Sequence, residues 1–376
     1  MFDQQETINA IALTRLNQFS LAGLASLYRI TGSATAVIDH RDHIRDILPD
    51  ASQRLIDALS NLSEPLQRAE DEYRYDESHD IEALTMNDSR YPQRLKDCDD
   101  APIVLFYKGT ADLNARRVVS IVGTRQCTPY GHDLIQRFCR DLKQWCPEVL
   151  IVSGLAYGVD INVHRQALAN GYETAAVLAH GHDTLYPPRH KDTADAMIRH
   201  GALVTEFLTH TKADKVNFVR RNRIVAGMAD ATILVESATH GGGLITTAIA
   251  QSYGRDVFAF PGAVGAPYSE GCNALIRNNG ASLITSAGDF ADAMGWKDDL
   301  SLEKARQKGV ERDLFPTLTD DEQRLVALLQ RSNDMPLNML AIQADMPIAT
   351  ATTLLFSLEM KGVVRLYAGN TYHLIT

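Results

Sequence analysis

The chain has 376 residues, 45% hydrophobic and 22% charged, the composition of an ordinary globular protein of two or three domains. No run approaches about 18 consecutive apolar residues, and the polar, acidic start (Met1-Phe-Asp-Gln-Gln-Glu) is unlike a signal peptide, so neither membrane insertion nor secretion is expected. A net charge of −10 argues against binding by indiscriminate positive surface, and five cysteines without a CxxC pair argue against a disulfide framework or zinc ribbon and for a cytoplasmic protein.

Residues 1–84 carry 7 basic and 15 acidic side chains and read as a small all-α domain. Ile8, Ala12, Leu13 and Leu16 recur at helical spacing, Leu21, Leu24, Leu27 and Tyr28 do so after a Ser20 cap, and a third run starts at Ser52. The charge-rich stretch 68–80 reads as a solvated helix end or a linker.

Residues 85–296 carry 21 basic and 21 acidic side chains and read differently. Short apolar runs (Val118–Val122, Val149–Val152, Thr174–Leu178, Ala202–Glu206, Ala231–Val235, Asp256–Phe260) alternate with amphipathic stretches such as Tyr130–Trp145 and Leu244–Tyr253. That alternation predicts an α/β core with a parallel sheet covered on both faces. Such sheets take ligands at the carboxyl ends of their strands, near a switch point in strand order.

A polar linker is expected over 297–315. Residues 316–376 then read as three helices (Thr319–Gln330, Leu337–Gln343, Thr350–Lys361) and two strands around Ala368-Gly369-Asn370, a winged-helix pattern. The third helix has no Arg, Asn or Gln and one terminal cation, Lys361, so a protein-contact or structural role is favoured over DNA contact.

Three glycine loops follow predicted strands. Gly123-Thr124-Arg125 combines a sharp turn, a hydroxyl, an amide and a forked guanidinium at a helix start. Ser153-Gly154, with Gly158 four residues on, forms a second candidate anion cradle. Gly241-Gly242-Gly243 precedes a good helix former, exposing amides at the positive end of a helix. Between them lies Lys212–Arg223, with five cations and one Asp. If Val216–Met228 is helical, Lys215, Phe218, Arg221 and Asn222 share a face, the composition of a platform that stacks a base and neutralises phosphates. The bland alternative is that Phe218 is core and the arginines are a solvated face.

Other chemistries lack their signatures. GxxxxGK[ST], GxGxxG after a strand, and a GxSxG elbow to accompany His240-Gly-Gly-Gly are all missing. His180 and His182 lack a further ligand at metal spacing. No cofactor or metal is implied, and binding is favoured over catalysis.

Taken together, the loops resemble the DprA/Smf family of bacterial DNA-processing proteins. The resemblance runs from Asp88-Ser-Arg-Tyr-Pro to Leu283-Ile through LFYKG (105–109), IVGTR (121–125), YG (130–131), VSGLAYGVD (152–160), YP (186–187), FVRRNRIVAGM (218–228), GLITTA (243–248), GRDVFAFPG (254–262) and GCNALI (271–276). It implies an extended Rossmann-like core, a sterile-alpha-motif-like or helix-hairpin-helix-like N-terminal domain and a C-terminal winged helix. It implies sequence-independent binding of single-stranded DNA in natural transformation, protection of the incoming strand, loading of RecA recombinase, and a homodimer. The family's DNA contacts fall on Gly123, Thr124, Arg125, Lys215 and Phe218. One departure stands out: the family's Ser-Gly-Ser before Leu-Ile-Thr is Gly241-Gly-Gly here, so any phosphate contact there rests on backbone amides. The competing expectation is a nucleotide-phosphoribohydrolase-like enzyme holding a nucleotide in the same loops; its PGGxGT sequence and trailing Glu are absent.

Overall fold

A computed structural model describes residues 4–16, 19–297, 318–333, 335–367 and 370–375. The chain divides into two compact units, Met1–Asp298 and Asp299–Thr376. The first begins with helices α1 (Gln4–Thr14), α2 (Leu21–Thr31), α3 (Ala34–Asp39), α4 (Gln53–Ser60) and α5 (Ser63–Ser78). Ser20, Ser33 and Ser52 start α2, α3 and α4, each side chain accepting a first-turn amide that has no helical partner.

The position expected to separate two domains, 84/85, falls inside a strand, β1 (Glu82–Thr85), which pairs antiparallel with β2 (Val104–Gly109). Ile11, Leu13 and Tyr28 lie in the same apolar cluster as Leu105 and Phe106, so the helices and the sheet edge share one core. The stretch 68–80 covers the C-terminal part of α5 and the residues just past it, and Asp71, Glu77 and Asp80 are exposed, as expected of a solvated helix end, but two of its acids are interior. Glu72 and Asp76 are 2% and 3% exposed. Arg68 pairs with Glu72 at 2.7 Å, and Glu72 also accepts the Thr209 amide at 2.7 Å. Those partners, one on the same helix and one across the fold, account for the buried Glu72 on an otherwise largely exposed helix end. Burial, then the Glu72 charge, pushes the Asp76 carboxyl up to about 8 against the pull of Arg68.

After α6 (Gln93–Lys96) come β3 (Val118–Val122), α7 (Pro129–Trp145), β4 (Leu150–Ser153), α8 (Val159–Ala169), β5 (Thr174–Val177), α9 (Lys191–Arg199), β6 (Gly201–Thr205), α10 (Lys215–Gly227), β7 (Ala231–Leu234), α11 (Gly242–Ser252), β8 (Asp256–Ala259), α12 (Glu270–Arg277), β9 (Ser282–Leu283) and α13 (Ala287–Ala293). The described strands of this unit form one nine-stranded sheet, ordered β1-β2-β6-β5-β4-β3-β7-β8-β9. From β6 through β9 every pair is parallel, whereas β2 joins β6 antiparallel. β3 and β6 are buried along their whole length, which accounts for their continuous apolar runs. The chain steps outward from β3 to β6, then returns across α10 to place β7 on the other side of β3. The switch point therefore lies between β3 and β7.

The second unit contains α14 (Asp320–Arg331), β10 (Met335–Pro336), α15 (Leu337–Gln343), α16 (Ile348–Met360), β11 (Val364–Tyr367) and β12 (Thr371–Leu374). Its strands run β10-β12-β11, all antiparallel, the winged-helix arrangement. Leu325, Leu329, Leu340, Leu355 and Leu358 fill its core. Glu322 closes a capping box with Thr319 and accepts Lys361 Nζ at 2.7 Å, so the one cation ending α16 is already paired. Most of the expected linker, 298–315, and the turn residues 368–369 lie outside the described residues.

Candidate nucleic-acid interface

A groove of about 1360 Å³ opens at the switch point, over the carboxyl ends of β3, β4 and β7. Its lining includes Gly123, Thr124, Arg125, Gly154, Lys215, Phe218, Arg221, Asn222, Gly242 and Gly243, residues up to 120 positions apart in the chain.

Gly123 is where two helix starts meet. A Cβ there would lie 2.6 Å from Val159 Cγ2 in the first turn of α8, and one on Gly243 would lie 3.2 Å from Gly123 Cα. Both glycines are needed for α8 and α11 to close on the tip of β3. This packing consumes several amides that might otherwise hold an anion. Thr124 N–H donates to Glu236 O at 2.8 Å, Val159 N–H to Thr124 O at 3.0 Å, and Gln126 N–H to the Thr124 hydroxyl at 3.1 Å. The amide expected from Thr124 is thus committed to the neighbouring loop. α11 differs, because its N-cap, Gly241, supplies no side-chain bond and leaves the helix start to be satisfied from outside.

Arg125 is exposed, and its guanidinium carbon lies 4.5 Å from the Phe218 ring centroid. Phe218 is half-buried on α10, which Asp214 caps by accepting Asn217 N–H at 2.8 Å. Lys215 stands exposed one turn earlier on that helix. Ring, guanidinium and ammonium therefore converge on one opening.

Arg221 departs from the sequence expectation. It shares the face of Phe218, at 5.9 Å from the ring, but only 3% of it is exposed. Its guanidinium donates to Gly154 O at 2.7 Å and to Val177 O. A Cβ on Gly154 would lie 2.3 Å from Arg221 Nη2, so that glycine makes room for the guanidinium. Burial lowers the Arg221 pKa to about 10, with Arg125 acting the same way and Asp160 opposing. Asp160 is itself buried, and desolvation raises its pKa against the pull of Arg221. Arg221 thus braces the groove from beneath. Ser153, expected in the anion cradle, is fully buried and donates its hydroxyl to Ile121 O at 2.7 Å; its hydroxyl ties two strands together. Asn222 lines the groove and accepts Arg221 Nε–H at 3.4 Å.

Asp160 and Tyr186 are among the groove residues that went unrecognised in the sequence. Asp160 sits in the VSGLAYGVD run and was readable as the counter-charge to a buried cation. Tyr186 comes from a long irregular connection that carries no periodic signal. His180 and His182 bond Gly181 O at 2.8 Å and Phe106 O at 3.1 Å, respectively, and burial lowers both pKa values. Among the described residues, no helix by itself is long and apolar enough to cross a membrane.

Fold and groove together define a Rossmann-like protein with an open, cation-bearing cleft at its switch point. Residues 82–295 match the model for DNA recombination-mediator protein A, and residues 312–370 match that for the DprA winged helix domain. The chain is 35% identical to the DNA processing protein DprA of Streptococcus pneumoniae over 237 residues, covering 61% of this chain and 83% of that one. It is 30% identical to the protein Smf of Escherichia coli over 331 residues, covering 86% and 85%. Among solved structures, it resembles the DprA of Streptococcus pneumoniae (TM-score 0.58, 30% identity, covering 76% of this chain and 91% of that one). It also resembles the DprA of Helicobacter pylori whose single-stranded DNA binding mode was described (TM-score 0.51, 26% identity, covering 57% and 95%). The chain belongs to the DNA recombination-mediator protein A, or DprA/Smf, family.

Proposed function

We propose that this protein binds single-stranded DNA without sequence preference in the switch-point groove, protects strands during natural transformation and loads RecA recombinase onto them, acting as a homodimer and not as an enzyme. The observation carrying this reading is the Phe218 ring, half-exposed in the groove with Arg125 over its face at 4.5 Å. An unpaired base can stack on that ring, contributing roughly 1–3 kcal/mol. Arg125 and Lys215 meet the flanking phosphates, and the open start of α11 offers backbone amides to another. Stacking on a ring and charge on phosphates read no base identity, which accounts for sequence independence. Duplex DNA binds less well because its bases cannot leave the stack to reach the ring. The single-stranded DNA binding mode described for the Helicobacter pylori relative supports the ligand class. The family match supports the role in DNA processing.

Titrating labelled oligo-dT against the protein and its Arg125→Ala, Lys215→Ala and Phe218→Ala variants tests the site. Each substitution is expected to weaken binding, and each lost cation to make the log–log salt slope shallower by about 0.7. Unchanged affinity in folded variants would remove the site. Free base released from AMP or IMP by the pure protein would replace the binding reading with an enzymatic one.

A further inference from the structure

Resting on that reading of the groove, we infer that the bound strand does not end at Phe218 but continues along a second aromatic step, Tyr186, toward Arg189. Tyr186 lines the groove with 40% of its surface exposed. Its ring centroid lies 5.8 Å from that of Phe218, at 60° between planes. The tilt matters. Two parallel rings would form one stack, whereas two tilted rings present separate faces, each able to take its own base. Tyr157 follows at 6.4 Å from Tyr186 and 84°. The Arg189 guanidinium lies 5.7 Å from the Tyr157 ring centroid, and Arg189 is exposed.

The step is held in place. Tyr186 N–H donates to His180 Nε2 at 3.1 Å, while the other ring nitrogen of His180 bonds Gly181 O at 2.8 Å. Tyr157 packs edge-on against His190 at 5.2 Å, and His190 bonds Leu155 O at 2.9 Å. Fixed histidines thus hold the backbone beneath one ring and the side of the other, so a base meets preorganised platforms and little ordering cost remains for binding. Cations at both ends, Arg125 over Phe218 and Arg189 over Tyr157, match the alternation of base and phosphate along one strand. Sequence preference is not expected, because each base has a face to stack.

The test is an oligo-dT length series, roughly 4 to 16 nucleotides, titrated against the full chain and its Tyr186→Ala, Tyr186→Phe, Arg189→Ala and Phe218→Ala variants. Tyr186→Ala should weaken the longer oligomers about five- to tenfold, and the shortest much less. Tyr186→Phe, which keeps the ring, should restore binding. Arg189→Ala should make the salt slope shallower by about 0.7 for long oligomers. Tyr186→Leu checks that loss follows the ring and not the apolar volume. If Tyr186→Ala and Arg189→Ala bind as wild type at every length while Phe218→Ala loses binding, the extended track is wrong and the groove reading survives. If Phe218→Ala also binds as wild type, the track falls together with the groove.

Discussion

The switch-point groove and the third helix of the winged unit expose their apolar groups in opposite company. In the groove, the Phe218 ring lies beneath an exposed guanidinium, with an ammonium one turn away. On α16, Ile348, Phe356 and Met360 are 57%, 62% and 74% exposed, and the adjoining Lys361 is spent on Glu322. A winged helix suggests DNA binding by its outline, yet phosphate affinity comes from free cations, and α16 offers none. Fold alone would point to α16; the charges favour the groove. Within the groove the same contrast recurs between two arginines flanking one ring. Arg125 is exposed, while Arg221 is buried beneath Gly154.

The two arginines should therefore fail in different ways. Arg221→Met leaves Asp160 and two carbonyls without their cation inside the fold, and should lower unfolding free energy by about 3–5 kcal/mol in urea titrations. Arg125→Ala should leave stability within about 0.5 kcal/mol and act on DNA affinity and its salt slope. If Arg125→Ala destabilises as much as Arg221→Met, the distinction between bracing and binding collapses.

Asp76, one of the two buried acids of α5, gives the next largest effect. Its carboxyl is raised from the usual range to about 8 by burial and then by Glu72. A raised acid favours the folded state while protonated, and that contribution is lost as pH climbs toward 8. Asp76→Asn should gain stability relative to wild type between pH 5 and pH 8, by about 3–4 kcal/mol. A stability difference that is flat across that range would show that Asp76 is ionised throughout.

A smaller effect isolates one hydrogen. Gly242 opens α11, no atom lies within 4 Å of a Cβ built there, and Gly241 before it is extended, at φ −115° and ψ 153°. Proline is well accommodated at a first helical position after an extended residue, and it lacks the N–H. Gly242→Pro should fold normally yet bind oligo-dT several-fold more weakly, whereas Gly242→Ala should bind as wild type. Equal binding by both would take the phosphate away from that amide. Smallest of all, the double substitution Phe356→Glu with Met360→Glu should change single-strand affinity by less than about 0.3 kcal/mol. A clear loss would bring α16 into the DNA path.

What the sequence made legible followed local rules. β3 was expected over Val118–Val122 and lies there, because a buried parallel strand writes a continuous apolar run. β1 and β2 were missed, since the four-residue Glu82–Thr85 is short and the antiparallel pair is joined through only the four-residue α6, too short for a periodic signal. Helical spacing put Lys215, Phe218 and Arg221 on one face, but the burial of Arg221 depends on a glycine 67 residues away, beyond the reach of any periodicity. The Thr124 amide and the Ser153 hydroxyl looked available because their partners, Glu236 O and Ile121 O, come from other strands or loops. Motif order located the groove; tertiary hydrogen bonding decided which of its groups remain free.

The central claim concerns where an unpaired base lies, and photo-crosslinking answers that most directly. Oligo-dT carrying one 5-iodouracil would be irradiated on the full chain and the adduct mapped by peptide mass spectrometry. An adduct on Phe218, lost in Phe218→Ala, is the predicted result. Adducts confined to α16, with Phe218 unmodified, would contradict the account.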